Sequence, residues 1–367
     1  MSVFAERRAR LRALLAEGEL SALVVSHLPN VRYLTGYIGS NAVAVIGPDG
    51  ERVLTDSRYA VSAREQVDDE VDVVIGPGDL TADLARAVAA IAPGGRVGLE
   101  AAYTSMARGA QLTARIAEAD AGIEVTPEVG RVEGLRLIKD EDEIGAIVRA
   151  ADMVDVALAD VLAEGLIGRA ERDVAFALQA GLFRIGAEGP SFEIIVAAGP
   201  NGAKPHAVPG SRVIGEGELV VIDLGAIADG YCSDMTRTVP TGQLPEALAR
   251  AYDVCAQAQR AALDAVHPGV TCAELDAVAR DLIGAAGLGD AFGHGLGHGV
   301  GLEIHEAPRV SREGTETLRP GMVVTIEPGI YLEGLGGVRI EDLVVVTDDG
   351  ARVLSHSPKA AISSTTV

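Results

Sequence analysis

The sequence predicts a mixed α/β (α+β) chain built from two domains. Three observations carry that expectation. The chain has 367 residues, 48% of them hydrophobic, enough for two cores of ordinary size. Its first 130 residues alternate helical and strand-like patterns. The remainder contains one motif twice, an apolar strand that ends on a carboxylate.

In the first domain, residues 1–130, Phe4, Leu11, Leu14 and Leu15 fall near one face and predict a helix over Phe4 to Ala16. Leu20 to Val25 reads as an apolar strand. Ala42 to Ile46 and Arg52 to Thr55 flank Pro-Asp-Gly and predict a hairpin. Strands over 71–75 and 96–99 are separated by helical stretches. No Gly-rich phosphate loop and no cluster of titratable residues stands out here. His27 and Asn30 are the polar oddities, and loop or capping duty accounts for them. The segment from Val132 to Glu143 is charged, has no turn cluster and runs into a helix predicted over Asp142 to Leu162. The boundary is therefore placed near 130, with the second domain spanning 131–367.

Within that domain, Gly217-Glu-Leu-Val-Val-Ile-Asp223 parallels Gly321-Met-Val-Val-Thr-Ile-Glu327. Each strand leads through a Gly-containing turn to a second strand bearing another carboxylate, Asp234 or Glu341. Helical segments precede both copies, the later one opening with a capping box from Thr271 to Glu274. The pattern predicts two related halves that face one another, each offering two carboxylates to a central site. Burying an unpaired carboxylate costs several kcal/mol, so acids inside apolar strands need a partner. A two-residue loop at 228–229 sets Asp223 opposite Asp234, whereas a loop at 229–230 sets it opposite Thr236 with Asp234 on the diagonal. Either register holds the two carboxylates within about 5–8 Å on one face. Repulsion at that range calls for a cation, or, more plainly, for Arg237 as a salt-bridge partner. Asp342 follows Glu341 and so points to the opposite face.

The segment His294-Gly-Leu-Gly-His298-Gly-Val-Gly-Leu-Glu-Ile-His305 holds three of the chain's seven histidines. Its glycines argue against a helix, since each interior Gly costs about 1 kcal/mol. Four carboxylates and one imidazole make an oxygen-rich donor set, better suited to two divalent ions such as Mn²⁺, Co²⁺ or Zn²⁺ than to one tetrahedral structural zinc. Paired ions of this kind support hydrolysis. No nucleophile-elbow serine and no Cys–His motif competes.

A net charge of −22 excludes a phosphate-tracking surface for nucleic acid, and it excludes affinity for anionic membranes. No apolar run reaches membrane-spanning length. Three scattered cysteines, Cys232, Cys255 and Cys272, suggest neither a disulfide framework nor a zinc knuckle. They fit a reducing, cytoplasmic setting.

At these residues the sequence resembles the proline-specific pita-bread metallopeptidases, the Xaa-Pro dipeptidases (prolidases) and Xaa-Pro aminopeptidases. The resemblance covers nearly the whole chain, including the linker Leu135-Arg-Leu-Ile-Lys139-Asp-Glu-Asp-Glu143-Ile. It implies a creatinase-like N-terminal α/β domain and a C-terminal pita-bread domain with a pseudo-twofold internal repeat. It implies five metal ligands, Asp223, Asp234, His298, Glu327 and Glu341, with Glu327 doubling as general base. By the same resemblance His206 lies beside the substrate carbonyl, and His294 stabilises the intermediate or passes a proton to the leaving nitrogen. His305 lies near the residue after the scissile bond, Arg339 organises the site, and Arg309 receives a dipeptide carboxylate. Tyr231 and Tyr331 either line the pocket or pack in the core. Creatinase shares the fold but lacks these ligands. Methionine aminopeptidases usually lack so long a first domain. Short proline-containing peptides and a homodimer follow as expectations. Dipeptidase against aminopeptidase action stays open, as do hydrolysis of another amide or ester and a non-catalytic binding role.

Overall fold

The computed structural model describes residues 2–359 and divides into two compact units, Met1–Arg136 and Leu137–Val367. The first carries a six-stranded sheet in the order β4-β3-β2-β1-β5-β6. Its strands are β1 (Ala22–Val25), β2 (Ala42–Gly47), β3 (Gly50–Asp56), β4 (Asp72–Gly76), β5 (Arg96–Glu100) and β6 (Glu124–Glu128). Central β1 pairs antiparallel with β2 and parallel with β5. The β2–β3 hairpin closes with Gly47 opposite Gly50, where the sequence marks a turn. Helix α1 (Val3–Glu17) begins at Ser2, whose hydroxyl accepts from the Ala5 amide at 3.1 Å. Further helices are α2 (Leu28–Thr35), α3 (Ala60–Gln66), α4 (Thr81–Ile91), α5 (Met106–Ala119) and α6 (Glu133–Arg136). Leu84, Val88 and Ile91 of α4 join Leu112 and Ile116 of α5 in the core beside the sheet.

Two features here escape a linear reading. Arg8 is buried and ion-paired with Glu51 and Asp68, so this unit does hold a titratable cluster. Its members are too far apart in sequence to signal one another. Asn30 donates to Glu100 at 2.7 Å and accepts from Arg136 at 2.7 Å, while the His27 ring stacks on Tyr103. These contacts knit the unit together. They also keep residues 131–136 with it, so the division falls after Arg136 where the sequence pattern put it near 130.

The second unit is built from two similar halves. The first has α7 (Glu141–Ala163), α8 (Glu171–Arg184), and the strands β7 (Gly189–Pro190), β8 (Ile195–Ala198), β9 (Leu219–Leu224), β10 (Ala226–Ala228), β11 (Tyr231–Cys232) and β12 (Met235–Pro240). The second has α9 (Glu246–Asp264), α10 (Cys272–Ala285), and β13 (Gly297–Gly299), β14 (Glu306–Val310), β15 (Val323–Ile326), β16 (Gly329–Leu332), β17 (Gly336–Arg339), β18 (Asp342–Val346) and β19 (Ala351–Val353). The sheets run β12-β9-β8 and β14-β13-β15-β18-β19. Asp140 and Glu143 form a reciprocal cap on α7, and Thr271 with Glu274 forms another on α10. Gly217 and Gly321, at φ +75° and +84°, turn the chain into β9 and β15. That left-handed conformation favours glycine, which is why both copies of the motif begin with it. The halves meet where the Glu341 amide donates to the Thr236 carbonyl at 3.1 Å. Much of each helix pair packs on its own half's sheet, while Ile144 and Ile147 at the start of α7 share a core with Val323, Leu343 and Val345 of the second half.

Candidate active site

The β9–β12 register decides the first carboxylate pair. Asp223 lies opposite Thr236, and the same register continues through Ala228 opposite Tyr231. The loop is therefore Asp229-Gly230, both with positive φ, and Asp234 is the diagonal neighbour. In the second half, Ile326 pairs with Asp342, so Glu327 and Glu341 flank the last rung. His298 sits in β13, whose glycines allow the close approach. A Cβ at Gly297 would lie 2.0 Å from the Thr325 carbonyl oxygen.

One cavity of about 590 Å³ gathers all ten residues that the sequence singled out: His206, Asp223, Asp234, His294, His298, His305, Arg309, Glu327, Arg339 and Glu341. Oxygens of Asp223, Asp234 and Glu341 lie within 4.8 Å of one another. His298 Nε2 is 3.5 Å from Asp234 and 3.3 Å from Glu327. The other ring nitrogen of His298, Nδ1, is 3.0 Å from the Gly299 carbonyl. That contact holds a proton on Nδ1, so Nε2, which shares a hydrogen bond with Glu327 here, is the nitrogen that could hold a metal.

The charges do not balance without a cation. Burial, then the neighbouring carboxylates, push Asp234 and Glu341 well above the usual carboxylate range. Burial raises Asp223 too, against the Arg339 charge. Glu327 departs downward: burial alone would lift it, yet its hydrogen bond and charge contact with His298 bring it to about 2. Asp223 Oδ1 and Glu341 Oε1 are buried without a hydrogen-bond partner. Orphaned carboxylate oxygens in an oxygen-rich pocket fit divalent metal ions. Asp223, Asp234, His298, Glu327 and Glu341 are the residues that could hold them.

A pH dependence follows. Acids with raised folded-state pKa values bind protons more tightly when folded, so stability falls as pH rises above the ordinary carboxylate range. His298 is raised above its ordinary value although burial opposes it, because of Glu327, and it acts in the same direction. Glu327 titrates below this window. The chelated protein should therefore melt lower at about pH 8 than at about pH 5.5, and divalent metal should flatten the slope. Calorimetry with and without chelator checks this.

Around the donor set runs a shell of hydrogen bonds. Arg339 is buried and bonds Asp223; it also donates to Thr236 Oγ1 at 3.0 Å, to the Tyr331 hydroxyl at 2.8 Å and to the Pro205 carbonyl at 3.2 Å. Thr236 donates onward to Glu341 at 2.7 Å. Thr325 accepts from the His298 amide and donates to Glu327, each at 3.0 Å. Because Tyr331 accepts from Arg339, its own proton faces His294 Nε2 at 3.0 Å. His294 Nδ1 faces the Gly295 carbonyl at 2.8 Å, and burial lowers its pKa. This ring rests neutral, protonated on Nδ1 and accepting at Nε2. Its loop is pinned from α10: Asp276 binds Arg280 and the Leu296 amide, and Arg280 donates to the His294 carbonyl at 2.7 Å. Asp342 faces away and pairs with Arg237, so Arg237 is not the partner of Asp223. Tyr231 instead bonds Glu143 at 2.8 Å, outside the cavity lining.

The sequence reading missed Thr236, Thr325 and the Asp276–Arg280 pair, and it left Tyr331 undecided. The two threonines carried one signal, since each lies two residues from a carboxylate in a strand and so shares its face.

Comparison with known proteins agrees with this geometry. Residues 145–348 match the model of metallopeptidase family M24, and residues 7–138 match the creatinase/prolidase N-terminal domain. An uncharacterized peptidase of Bacillus subtilis is 40% identical over 96% of this chain and 98% of its own. The structure of an Xaa-Pro dipeptidase from Bacillus anthracis superposes with a TM-score of 0.92 at 36% identity, covering 98% of this chain and 99% of that one. An X-Pro aminopeptidase from Thermotoga maritima gives 0.85 at 34% identity over 96% and 99%. With a pocket of paired carboxylates and histidines and a family match across more than half its length, this chain belongs to metallopeptidase family M24 and is a metallopeptidase.

Proposed function

We propose that the chain hydrolyses the bond preceding proline in dipeptides and other short peptides, using two divalent ions held by Asp223, Asp234, His298, Glu327 and Glu341. The observation that carries this reading is the pair of orphaned oxygens, Asp223 Oδ1 and Glu341 Oε1, in a cavity that also holds a neutral His294. Similarity to the Bacillus anthracis Xaa-Pro dipeptidase supports the substrate class. Bound ions would polarise the scissile carbonyl and supply an activated water. Glu327, anionic and fixed by Thr325, would accept a proton from the attacking water. His294, on the cavity wall with Nε2 able to accept, would take up a proton released from the water and pass it to the leaving nitrogen. Arg339 keeps Asp223 oriented. His206 meets the substrate carbonyl, and His305 and Arg309 meet the residue after the scissile bond. We take Mn²⁺, Co²⁺ or Zn²⁺ as the ions, a homodimer as the assembly and the cytoplasm as the setting. The three cysteines, all buried and none in a disulfide, are compatible with that setting. Among the described residues no helix is long and apolar enough to cross a membrane.

The test is steady-state hydrolysis of Ala-Pro and Ala-Pro-Ala by chelator-stripped protein with each metal restored. Metal-dependent cleavage of Ala-Pro is expected. Cleavage of the tripeptide alone would reassign the chain as an aminopeptidase. Cleavage of neither, with metal bound, would overturn the substrate class.

A further inference from the structure

Lys139 is one of three lysines in the chain, and its side chain is 1% exposed. Its ammonium lies 3.1 Å from Glu306 Oε2, whose own side chain is 7% exposed. A buried ion pair is weak evidence for stability, because desolvation offsets the attraction. What the pair holds in place is more informative.

The Lys139 backbone is anchored on both sides. Its amide donates to the Gly321 carbonyl at 2.9 Å, at the turn into β15. The next residue, Asp140, caps α7 through the Glu143 amide at 2.9 Å. The ammonium is therefore presented from a rigid base. Glu306 sits between His305 and Arg309 and lines the same cavity. Its second oxygen, Oε1, accepts from the Glu303 amide at 3.1 Å and closes the irregular loop 301–306. The loop wraps so tightly that a Cβ at Gly301 would lie 2.6 Å from that carboxylate. Gly301 in turn accepts from the Cys232 amide at 2.7 Å, next to the hairpin that bears Asp234. The His305 ring packs edge-on against His298, centroids 4.4 Å apart.

We propose that Lys139 is a positioning residue for substrate binding. By holding the Glu306 carboxylate, it sets the shape of loop 301–306 and so places His305 and Arg309 at the mouth of the cavity. The substrate role of those two residues rests on the function proposed above.

Lys139→Met removes this ammonium from a buried carboxylate. Its Tm should fall, amide exchange over 301–306 should quicken, and KM should rise about tenfold with kcat nearly unchanged, the pattern of lost ground-state contacts. Metal content should be preserved. The double variant Lys139→Met with Glu306→Gln removes the carboxylate charge together with the ammonium yet keeps an acceptor for Glu303. It should recover Tm but not KM or slow exchange. Should the single variant fail to accumulate, the double variant carries the test alone. Restoration of wild-type KM together with Tm would reduce the pair to a structural role and overturn the proposal. Unchanged exchange over 301–306 would overturn it as well. Exchange needs no substrate, so this arm decides even if the wild-type protein leaves Xaa-Pro bonds intact.

Discussion

Glu341→Gln should cost metal retention and hydrolysis together, with kcat/KM falling about a thousandfold or more, on the scale of losing a charge-stabilising element at a reacting centre. The substitution keeps volume and an acceptor for Thr236, whose hydroxyl lies 2.7 Å from Glu341. What disappears is one anion in a site where Glu341 is crowded by Glu327 and Asp223. The chelated variant should therefore melt higher than the chelated wild type, although the metal-supplemented variant is inactive. Opposite effects on apo stability and on activity separate a ligand from a structural carboxylate. A variant that kept both metal and rate would remove Glu341 from the donor set. Metal analysis, calorimetry and kinetics on one preparation decide the matter.

The second large effect concerns stability. Arg237 and Asp342, with side chains 3% and 2% exposed, pair at 2.8 Å beneath the site. Arg237 also donates to the Ser357 carbonyl at 2.8 Å, to the Thr236 carbonyl at 3.0 Å and to the Glu341 carbonyl. It thus joins β12 to the start of β18, where the two halves touch. Arg237→Met removes a cation from a buried carboxylate and takes the guanidinium from the Ser357 and Glu341 carbonyls. Unpairing a buried charge costs about 3–5 kcal/mol. Because Lys359 and Gln259 also contact Asp342, the lower end is expected, about 3 kcal/mol by denaturant titration. A loss under about 1 kcal/mol would mean that Lys359 and Gln259 suffice for Asp342.

What could be read from the sequence, and what could not, has physical causes. Asp223 and Glu327 stood out because a carboxylate within an apolar strand is costly unless something compensates it. The histidines stood out because their glycine context suits neither a helix nor a plain strand. The hairpin register was left open, although Asp229-Gly230 is the dipeptide that a tight turn with two positive φ angles favours. The supporting shell was harder to see. Thr236 and Thr325 are ordinary residues for a strand, and Asp276–Arg280 looks like an exposed i,i+4 pair. Only tertiary placement turns that pair inward, onto the Leu296 amide and the His294 carbonyl. In the first unit, Arg8 lay among other arginines of a terminal helix, and nothing local revealed its burial against Glu51 and Asp68.

The donor set is split between the halves. Asp223 and Asp234 come from the first, and His298, Glu327 and Glu341 from the second. Neither half alone presents the complete proposed set, so ions held by all five would act as a staple across the pseudo-twofold axis. Binding is then linked to docking of the halves, and it selects the docked arrangement over any opened one. At a free metal concentration a hundred times the Kd, that selection amounts to about 2.7 kcal/mol. With that proposed ligand set, the duplicated architecture would make availability of the ions a determinant of how tightly the unit stays shut.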